Sequence, residues 1–220
     1  MLRPTWTTFP ALSRLPGFAH RFTLRNPEID VNAERDVVVK RLWTWHRSQA
    51  QELGFDPDSL CIAEQVHGNR VLAVNGPQTS PAPGADGLVC NLPEMVIGIY
   101  VADCCAVYLV DEQTGAFGVV HSGKKGTELG ITRHAIEQMQ RCFGSQPANM
   151  IVQLSPCIRP PAYEVDFAAE IQRQAQDAGV PVSQIHDAGE CTSSDLQRFY
   201  SYRMEKGRTG RMLALLGRHA

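Results

Sequence analysis

Between residues 95 and 120 the chain carries three apolar runs, 95–101, 106–110 and 116–120, in which apolar and polar residues do not alternate. A strand with one wet face alternates, whereas an unbroken apolar run of five to seven residues belongs to a strand covered on both sides. Such strands require further layers above and below them. Helical spacing supplies those layers. Residues 34–53 place Val37, Val38, Leu42 and Trp45 at helical intervals and stop at Leu53-Gly54. Residues 127–143 place Leu129, Ile136, Met139 and Phe143 on one face and end at Gly144, and residues 167–178 predict a further helix. Additional strands are expected at 87–89, 151–155 and, as a short closing strand, 212–216, with a tight turn at 111–115. Residues 59–66 and 70–74 predict two strands around a hairpin-like bend at His67-Gly68-Asn69, and a Pro/Gly-rich loop follows at 76–84. The expected fold class is α/β, with mixed central β-sheet layers covered by helices.

A chain of 220 residues with 43% hydrophobic and 20% charged content can bury one large core, and no linker interrupts it, so residues 1–220 are expected to form a single domain. The formal charge of -2 offers no electrostatic reason for a nucleic-acid or anionic-membrane partner. Seven cysteines, odd in number and irregularly spaced in mostly apolar segments, fit reduced thiols in the cytoplasm. The first ten residues lack an apolar stretch of signal-peptide length, and Asp103 breaks the longest apolar run, so neither secretion nor membrane insertion is expected. Nothing in the sequence fixes an oligomeric state.

Three residues stand where β-like runs give way to glycine- or acid-marked loops: His67 in Ala63-Glu-Gln-Val-His-Gly68, Cys104 in Val101-Ala-Asp-Cys-Cys105, and His121 in Val119-Val-His-Ser-Gly-Lys-Lys-Gly126. Should the loops converge, two imidazoles and one thiolate suit Zn²⁺ and leave one tetrahedral position for water or substrate. The same residues permit a metal-free reading, in which Cys104 is a nucleophile and His121 its base, as in a cysteine hydrolase. Taken singly they have plainer roles: His67 caps a turn, His121 is a satisfied core histidine, and Cys104 and Cys105 are small buried hydrophobes. The glycines and lysines after His121 add a second signal, because Lys124 and Lys125 at the start of a helix can hold an anion such as phosphate, although solvated lysines are the commoner case.

Six motifs, in order from about residue 18 to the C-terminus, resemble the YfiH-type laccase-domain family, also called the peptidoglycan editing factor or polyphenol oxidase family. They are Gln65-Val-His-Gly68, Ala85-Asp-Gly-Leu-Val89, Val101-Ala-Asp-Cys104, Gly118-Val-Val-His-Ser-Gly123, Ser155-Pro-Cys-Ile158 with Tyr163-Glu-Val165, and Tyr200-Ser-Tyr-Arg203 with Thr209-Gly-Arg211. The resemblance implies the YfiH-like α/β fold, with zinc held by His67, Cys104 and His121. It also implies phosphorolysis of purine nucleosides (adenosine, inosine or methylthioadenosine), adenosine deamination, and small-molecule partners, namely a nucleoside and phosphate. The family has further been described as a copper-dependent phenol oxidase and as an editor or binder of peptidoglycan precursors.

On this reading Lys124, Lys125 and, by resemblance, Arg25 neutralise phosphate, and Tyr163 belongs to the substrate site unless its ring seals the core. Arg203 and Arg211 are expected in surface ion pairs. Gln65 and Asp103 are candidates for orienting a ligating histidine or handling protons, and Cys104 is the catalytic ligand. Multicopper chemistry requires many histidines, whereas this chain has seven, of which only His67 and His121 lie in metal-like contexts. Zinc is therefore the expected ion, with copper the alternative. The chain departs from the family where Ala-Gly-Trp-Arg-Gly usually follows the second histidine: here Ser122-Gly123-Lys124-Lys125-Gly126 keeps charge and loses the aromatic wall and the arginine fork. The segment Asn26-Pro-Glu-Ile-Asp30 likewise lacks the family's glycine-rich loop.

Overall fold

The computed structural model describes residues 3–77 and 81–220. In chain order the elements are β1 (Trp6–Thr7), α1 (Pro10–Ser13), β2 (Phe18–Thr23), α2 (Arg35–Glu52), β3 (Leu60–Ile62), β4 (Val71–Ala73), β5 (Gly87–Cys90), β6 (Met95–Val101), β7 (Cys105–Asp111) and β8 (Ala116–Ser122). They continue with α3 (Lys124–Glu128), α4 (Ile131–Phe143), β9 (Met150–Leu154), α5 (Phe167–Asp177), β10 (Ile185–Asp187) and β11 (Met212–Arg218). The strands form two mixed sheets, ordered β1-β2-β11-β6-β3 and β10-β9-β7-β8-β5-β4. Both are antiparallel in the middle. Parallel pairs lie toward the edges, β3 beside β6 in the first sheet, and β4 beside β5 and β10 beside β9 in the second.

The sheets stack face to face over a core that includes Phe22, Ile97, Ile99, Leu88, Tyr108 and Phe117. On the outer face of the first sheet, Val96, Leu213 and Leu215 pack against α2 through Ala50, Val39 and Trp43. On the outer face of the second, Val107, Leu109 and Val120 pack against α4 and α5 through Ile136, Met139, Ile171 and Ala175. The result is a helix–sheet–sheet–helix sandwich. Every residue of β6, β7 and β8 is buried, which is why their sequences show no alternation.

Three expectations need correction. The strands around His67 do not form a hairpin: β3 pairs with β6 in the first sheet, and β4 pairs with β5 in the second. Two short apolar runs around a turn look alike whether they pair with each other or with separate neighbours, so local pattern could not separate the cases. The helix expected over 127–143 is two helices, because Gly130 adopts a left-handed conformation (φ 75°) between α3 and α4, and Leu129 turns outward at 43% exposure. The closing strand is a seven-residue central strand, β11, between β2 and β6. Strands β1, β2 and β10 carry no distinct local signal in the sequence. Residues 78–80 of the expected Pro/Gly-rich loop lie outside the described residues. Among the described residues no helix is long and apolar enough to cross a membrane.

Candidate metal centre

Two connections carry the chain from one sheet to the other at this end of the sandwich, β3 to β4 and β6 to β7. His67 lies on the first and Cys104 on the second. His121, near the end of β8, joins them because the antiparallel register sets it opposite Ala106, two residues beyond Cys104. Ligand atoms of His67, Cys104 and His121 lie within 4.8 Å of one another. The imidazole rings are 5.0 Å apart and nearly perpendicular, at 79°. A tetrahedral zinc with bonds of about 2.0–2.3 Å spaces its ligand atoms about 3.3–3.8 Å apart, so modest side-chain rotations close the trio. The donor set, one soft sulfur and two imidazole nitrogens beside an open cavity, fits a zinc ion with an exchangeable position.

A fourth residue holds the site together. Asp86, fully buried just before β5, accepts backbone N–H groups from Val66 (3.2 Å), His67 (2.9 Å) and Gly68 (2.7 Å), and Nδ1–H of His121 at 3.1 Å. One carboxylate therefore fixes the His67 loop and the tautomer of His121, the role a metal-ligating imidazole asks of its partner. Burial alone would raise the Asp86 carboxyl, but the His121 hydrogen bond and those from Gly68 and His67 bring it below its ordinary value, so it is ionised at neutral pH. Asp86 lies in Ala85-Asp-Gly-Leu-Val89, where nothing local distinguishes it from any acid at a strand start.

Gln65 and Asp103 flank the ligands but direct their polar atoms elsewhere. Gln65 donates to the Tyr100 carbonyl (2.6 Å) and accepts the Tyr100 N–H (2.8 Å), as a further strand would. Asp103 accepts from the hydroxyls of Thr192 (2.6 Å) and Ser201 (3.0 Å) and from the Arg203 N–H (2.7 Å). Gln65, His67 and Asp103 all have positive φ, at 66°, 61° and 81°. Such conformations cost about 1–3 kcal/mol each in non-glycine residues and persist where surrounding bonds over-determine them. Gln65 and Asp103 thus shape the two ligand loops, and the carboxylate that orients a histidine is Asp86.

The two histidines differ in charge preference. Burial lowers His67, and the charges of His121, Arg35 and Lys125 add to that despite Asp86, so His67 is neutral and ready to ligate at neutral pH. His121 is also pulled down by burial, but Cys104 and the Asp86 carboxylate beside it outweigh this and raise it to about 9 without a metal. A metal must therefore displace the His121 proton. Because that proton leaves more readily as pH rises, zinc affinity should increase by at least about tenfold per pH unit from neutrality, the His121 part of the rise ending above about 9. Competition with a zinc-binding dye across pH 6.5–10 measures this; a flat profile contradicts it.

Gly123 seats the thiol. A Cβ at this position would collide with Cys104 Sγ, although the Gly123 backbone (φ -95°) is one that alanine adopts freely. Gly123→Ala should therefore leave the fold intact while displacing the sulfur and lowering zinc affinity by about tenfold or more, the scale of a disturbed ligand shell. Bound zinc per chain, alongside an unchanged far-UV spectrum, tests the prediction.

Above the trio opens a cavity of about 750 Å³. Lys124 and Tyr163 line it, with Phe167, Ile158 and Tyr202 as apolar and aromatic wall. Lys124 also reaches Glu164 at 3.8 Å. Lys125 is exposed and Arg25 is turned away: neither is among the lining residues, and the Arg25 guanidinium bonds the Phe199 carbonyl and pairs with Glu205 at 2.7 Å. Arg203 makes the expected exposed ion pair, with Glu164 at 3.5 Å. Arg211 does not. It is buried against the Thr209 and Gly210 carbonyls and lines the cavity.

Comparison with known proteins agrees with this architecture. The family model described as multi-copper polyphenol oxidoreductase laccase matches residues 26–172 and 164–219. A Geobacillus stearothermophilus protein named purine nucleoside phosphorylase YlmD is 30% identical over 90% of this chain and 84% of its own length. A Deinococcus radiodurans protein named purine nucleoside phosphorylase is 32% identical, covering 94% of this chain and 92% of its own. The crystal structure of YlmD from Geobacillus stearothermophilus superposes with a TM-score of 0.84 at 26% identity, over 96% of this chain and 94% of that one. That of a Bacillus licheniformis hypothetical protein, YfiH, gives 0.82 at 23% identity, over 93% and 94%. The chain belongs to the YfiH/YlmD laccase-domain family.

Proposed function

We propose that this chain is a zinc-dependent purine nucleoside phosphorylase, with His67, Cys104 and His121 as the zinc ligands. The observation that carries the reading is the convergence of those three side chains, braced by Asp86, on the floor of a cavity large enough for a nucleoside and phosphate. The names of relatives at 30–32% identity point to the same chemistry. The ion, when bound, supplies Lewis acidity at its open position. The remaining work falls to the chain. Tyr163, Phe167 and Tyr202 offer rings against which a purine can stack. Cationic side chains around the cavity favour the anionic co-substrate, and the aromatic wall keeps bulk water from the bond being broken. In the reaction a phosphate oxygen bonds to ribose C1′ as the C1′–N9 bond breaks, and the bonding pair leaves with the purine, which takes up one proton.

Zinc suits the donor set better than copper-oxidase chemistry does. Among the described residues His67, Cys104 and His121 form the one group of three or more such side chains, and an oxidase with several coppers needs further clusters. A metal-free cysteine nucleophile also draws on a specific observation, because Cys104, His121 and Asp86 line up as nucleophile, base and orienting acid. That arrangement has no use for His67, whose imidazole converges on the same point. The deciding experiment is metal analysis of freshly purified protein combined with assays of adenosine, inosine and methylthioadenosine with and without phosphate. Phosphate-dependent release of free base with zinc bound supports the proposal. Phosphate-independent conversion of adenosine to inosine would make the protein a deaminase, and turnover by metal-free protein would favour the cysteine nucleophile.

A further inference from the structure

The cavity wall carries more positive charge than a neutral nucleoside calls for. Arg35, Lys124, Arg203, Lys206, Arg208 and Arg211 line it, against the carboxylates of Glu34 and Asp103. Half of this charge has a firm partner, and Lys206 extends from the rim. Lys124 and Arg203 share Glu164, Arg208 meets Glu34 at 3.4 Å, and Asp103 is engaged by Thr192, Ser201 and the Arg203 N–H.

Arg35 and Arg211 differ. Arg35 opens α2, and its Nη2 donates to the Glu64 carbonyl at 3.2 Å, three residues before the ligand His67. Its ion pair is with Asp36 at 3.5 Å, a carboxylate 85% exposed and weak as a partner. Arg211 enters β11 beside Met212, whose register with Val101 sets Arg211 next to Ala102, two residues before the ligand Cys104. It is 8% exposed, Nη1 is held by the Thr209 and Gly210 carbonyls, and among the described residues no carboxylate pairs with it. Burial and then the charge of Arg35 weaken its hold on its proton, against the smaller opposing pulls of Tyr202, Cys104 and Asp103, so the two guanidiniums feel each other across the cavity. Tyr100, also lining the cavity, has a buried hydroxyl with no hydrogen-bond partner.

We propose that Arg35 and Arg211 form a subsite for a phosphate dianion beside the metal trio, taking the place that the Lys124-Lys125 loop would have filled. As the seat of the attacking phosphate, the subsite rests on the phosphorylase reading; as an anion site it stands on the two arginines alone. Guanidinium forks match phosphate oxygens in pairs, which lysines do not. The phosphate can arrive as the inorganic ion or on a nucleoside monophosphate.

The test uses the full zinc-loaded chain and the variants Arg35→Gln, Arg211→Gln and Arg211→Lys, with calorimetry of inorganic phosphate, KM for phosphate and for nucleoside, and bound zinc. Each glutamine variant should weaken phosphate binding by about tenfold to a hundredfold, the loss of a charge-assisted bond, and raise phosphate KM in step. Nucleoside KM and zinc content should change little, and Arg211→Lys should fall between. Arg35 is partly exposed, so its variant remains informative should the Arg211 variants fail to fold. Competition between adenosine monophosphate and inorganic phosphate supports the subsite and admits the nucleotide's own phosphate, whereas displacement of nucleoside alone leaves the inorganic ion as occupant. Wild-type protein that binds no phosphate, or glutamine variants that bind it as tightly as wild type, overturns the subsite. Phosphate binding that is lost in the variants, with no phosphate-dependent turnover in wild type, keeps the subsite and removes the phosphorylase.

Discussion

Cys104→Ala is expected to strip zinc from the protein and abolish phosphate-dependent nucleoside turnover, while Cys105→Ala, one residue away, leaves both in place. Cys104 faces the cavity together with the two imidazoles, and a three-ligand zinc that loses its thiolate should lose about a hundredfold or more in affinity. Cys105 is fully buried at the start of β7 with its sulfur directed to the Ser155 carbonyl, so its truncation costs stability on the order of 1 kcal/mol and no ligand. Alanine at 104 would equally silence a cysteine nucleophile, so His67→Ala completes the test. The His67 imidazole takes no part in the Cys104–His121–Asp86 alignment but offers one of the three ligand atoms, and alanine keeps the backbone N–H that Asp86 accepts. Loss of zinc and turnover in both variants supports the metal centre. Full turnover by metal-free Cys104→Ala protein would defeat it, and an active His67→Ala protein that is alkylated rapidly at Cys104 would favour the thiol as nucleophile.

How much of this was legible beforehand depended on whether the signal was local. Strands β6, β7 and β8 announced themselves because complete burial leaves an unbroken apolar run, and α2 ended where Leu53-Gly54 placed its stop. The ligand trio could be named because histidine and cysteine at strand ends are chemically conspicuous, though only the fold shows that they meet. Pairing partners were not legible. Whether β3 and β4 join each other or two different sheets depends on β5 and β6, which lie beyond the bend. For the same reason Asp103, the acid nearest Cys104 in sequence, is the more conspicuous candidate, although Asp86 reaches His121 from 35 positions away. That Arg25 pairs with Glu205 while Arg211 lines the cavity is invisible locally, because an arginine's position in the chain says nothing about whether a glutamate will meet it. Leu129 leaves its expected face for a different reason: the left-handed backbone at Gly130 resets the helical phase.

Asp86→Asn should damage the site in two separable ways. The buried carboxylate accepts four N–H groups, and asparagine of the same shape offers one oxygen and one NH₂, so donors of the His67 loop would face another donor. Leaving such donors unsatisfied should cost about 2–5 kcal/mol of folding stability. Zinc affinity should fall about tenfold to a hundredfold as His121 loses the partner that fixes its tautomer. The pH dependence separates this account from general destabilisation. Asp86 titrates below its ordinary range, so its contribution is complete above the unfolded carboxylate value and disappears as pH falls through the lower folded one. The stability gap between wild type and Asp86→Asn should accordingly narrow once pH drops below about 4, and narrow again as pH rises from neutrality toward about 9, where wild-type His121 gives up the proton that Asp86 helps it hold. Zinc binding should shift in the opposite region. Without the Asp86 charge, His121 no longer holds its proton up to about 9, so the alkaline rise in zinc affinity should level off at lower pH in the variant. Denaturant unfolding at pH 3.5 and 7, paired with zinc titrations at pH 7 and 9, measures both effects. A gap that persists in acid, or a zinc profile that keeps its wild-type midpoint, would mean that Asp86 packs the loop without governing the charge of His121.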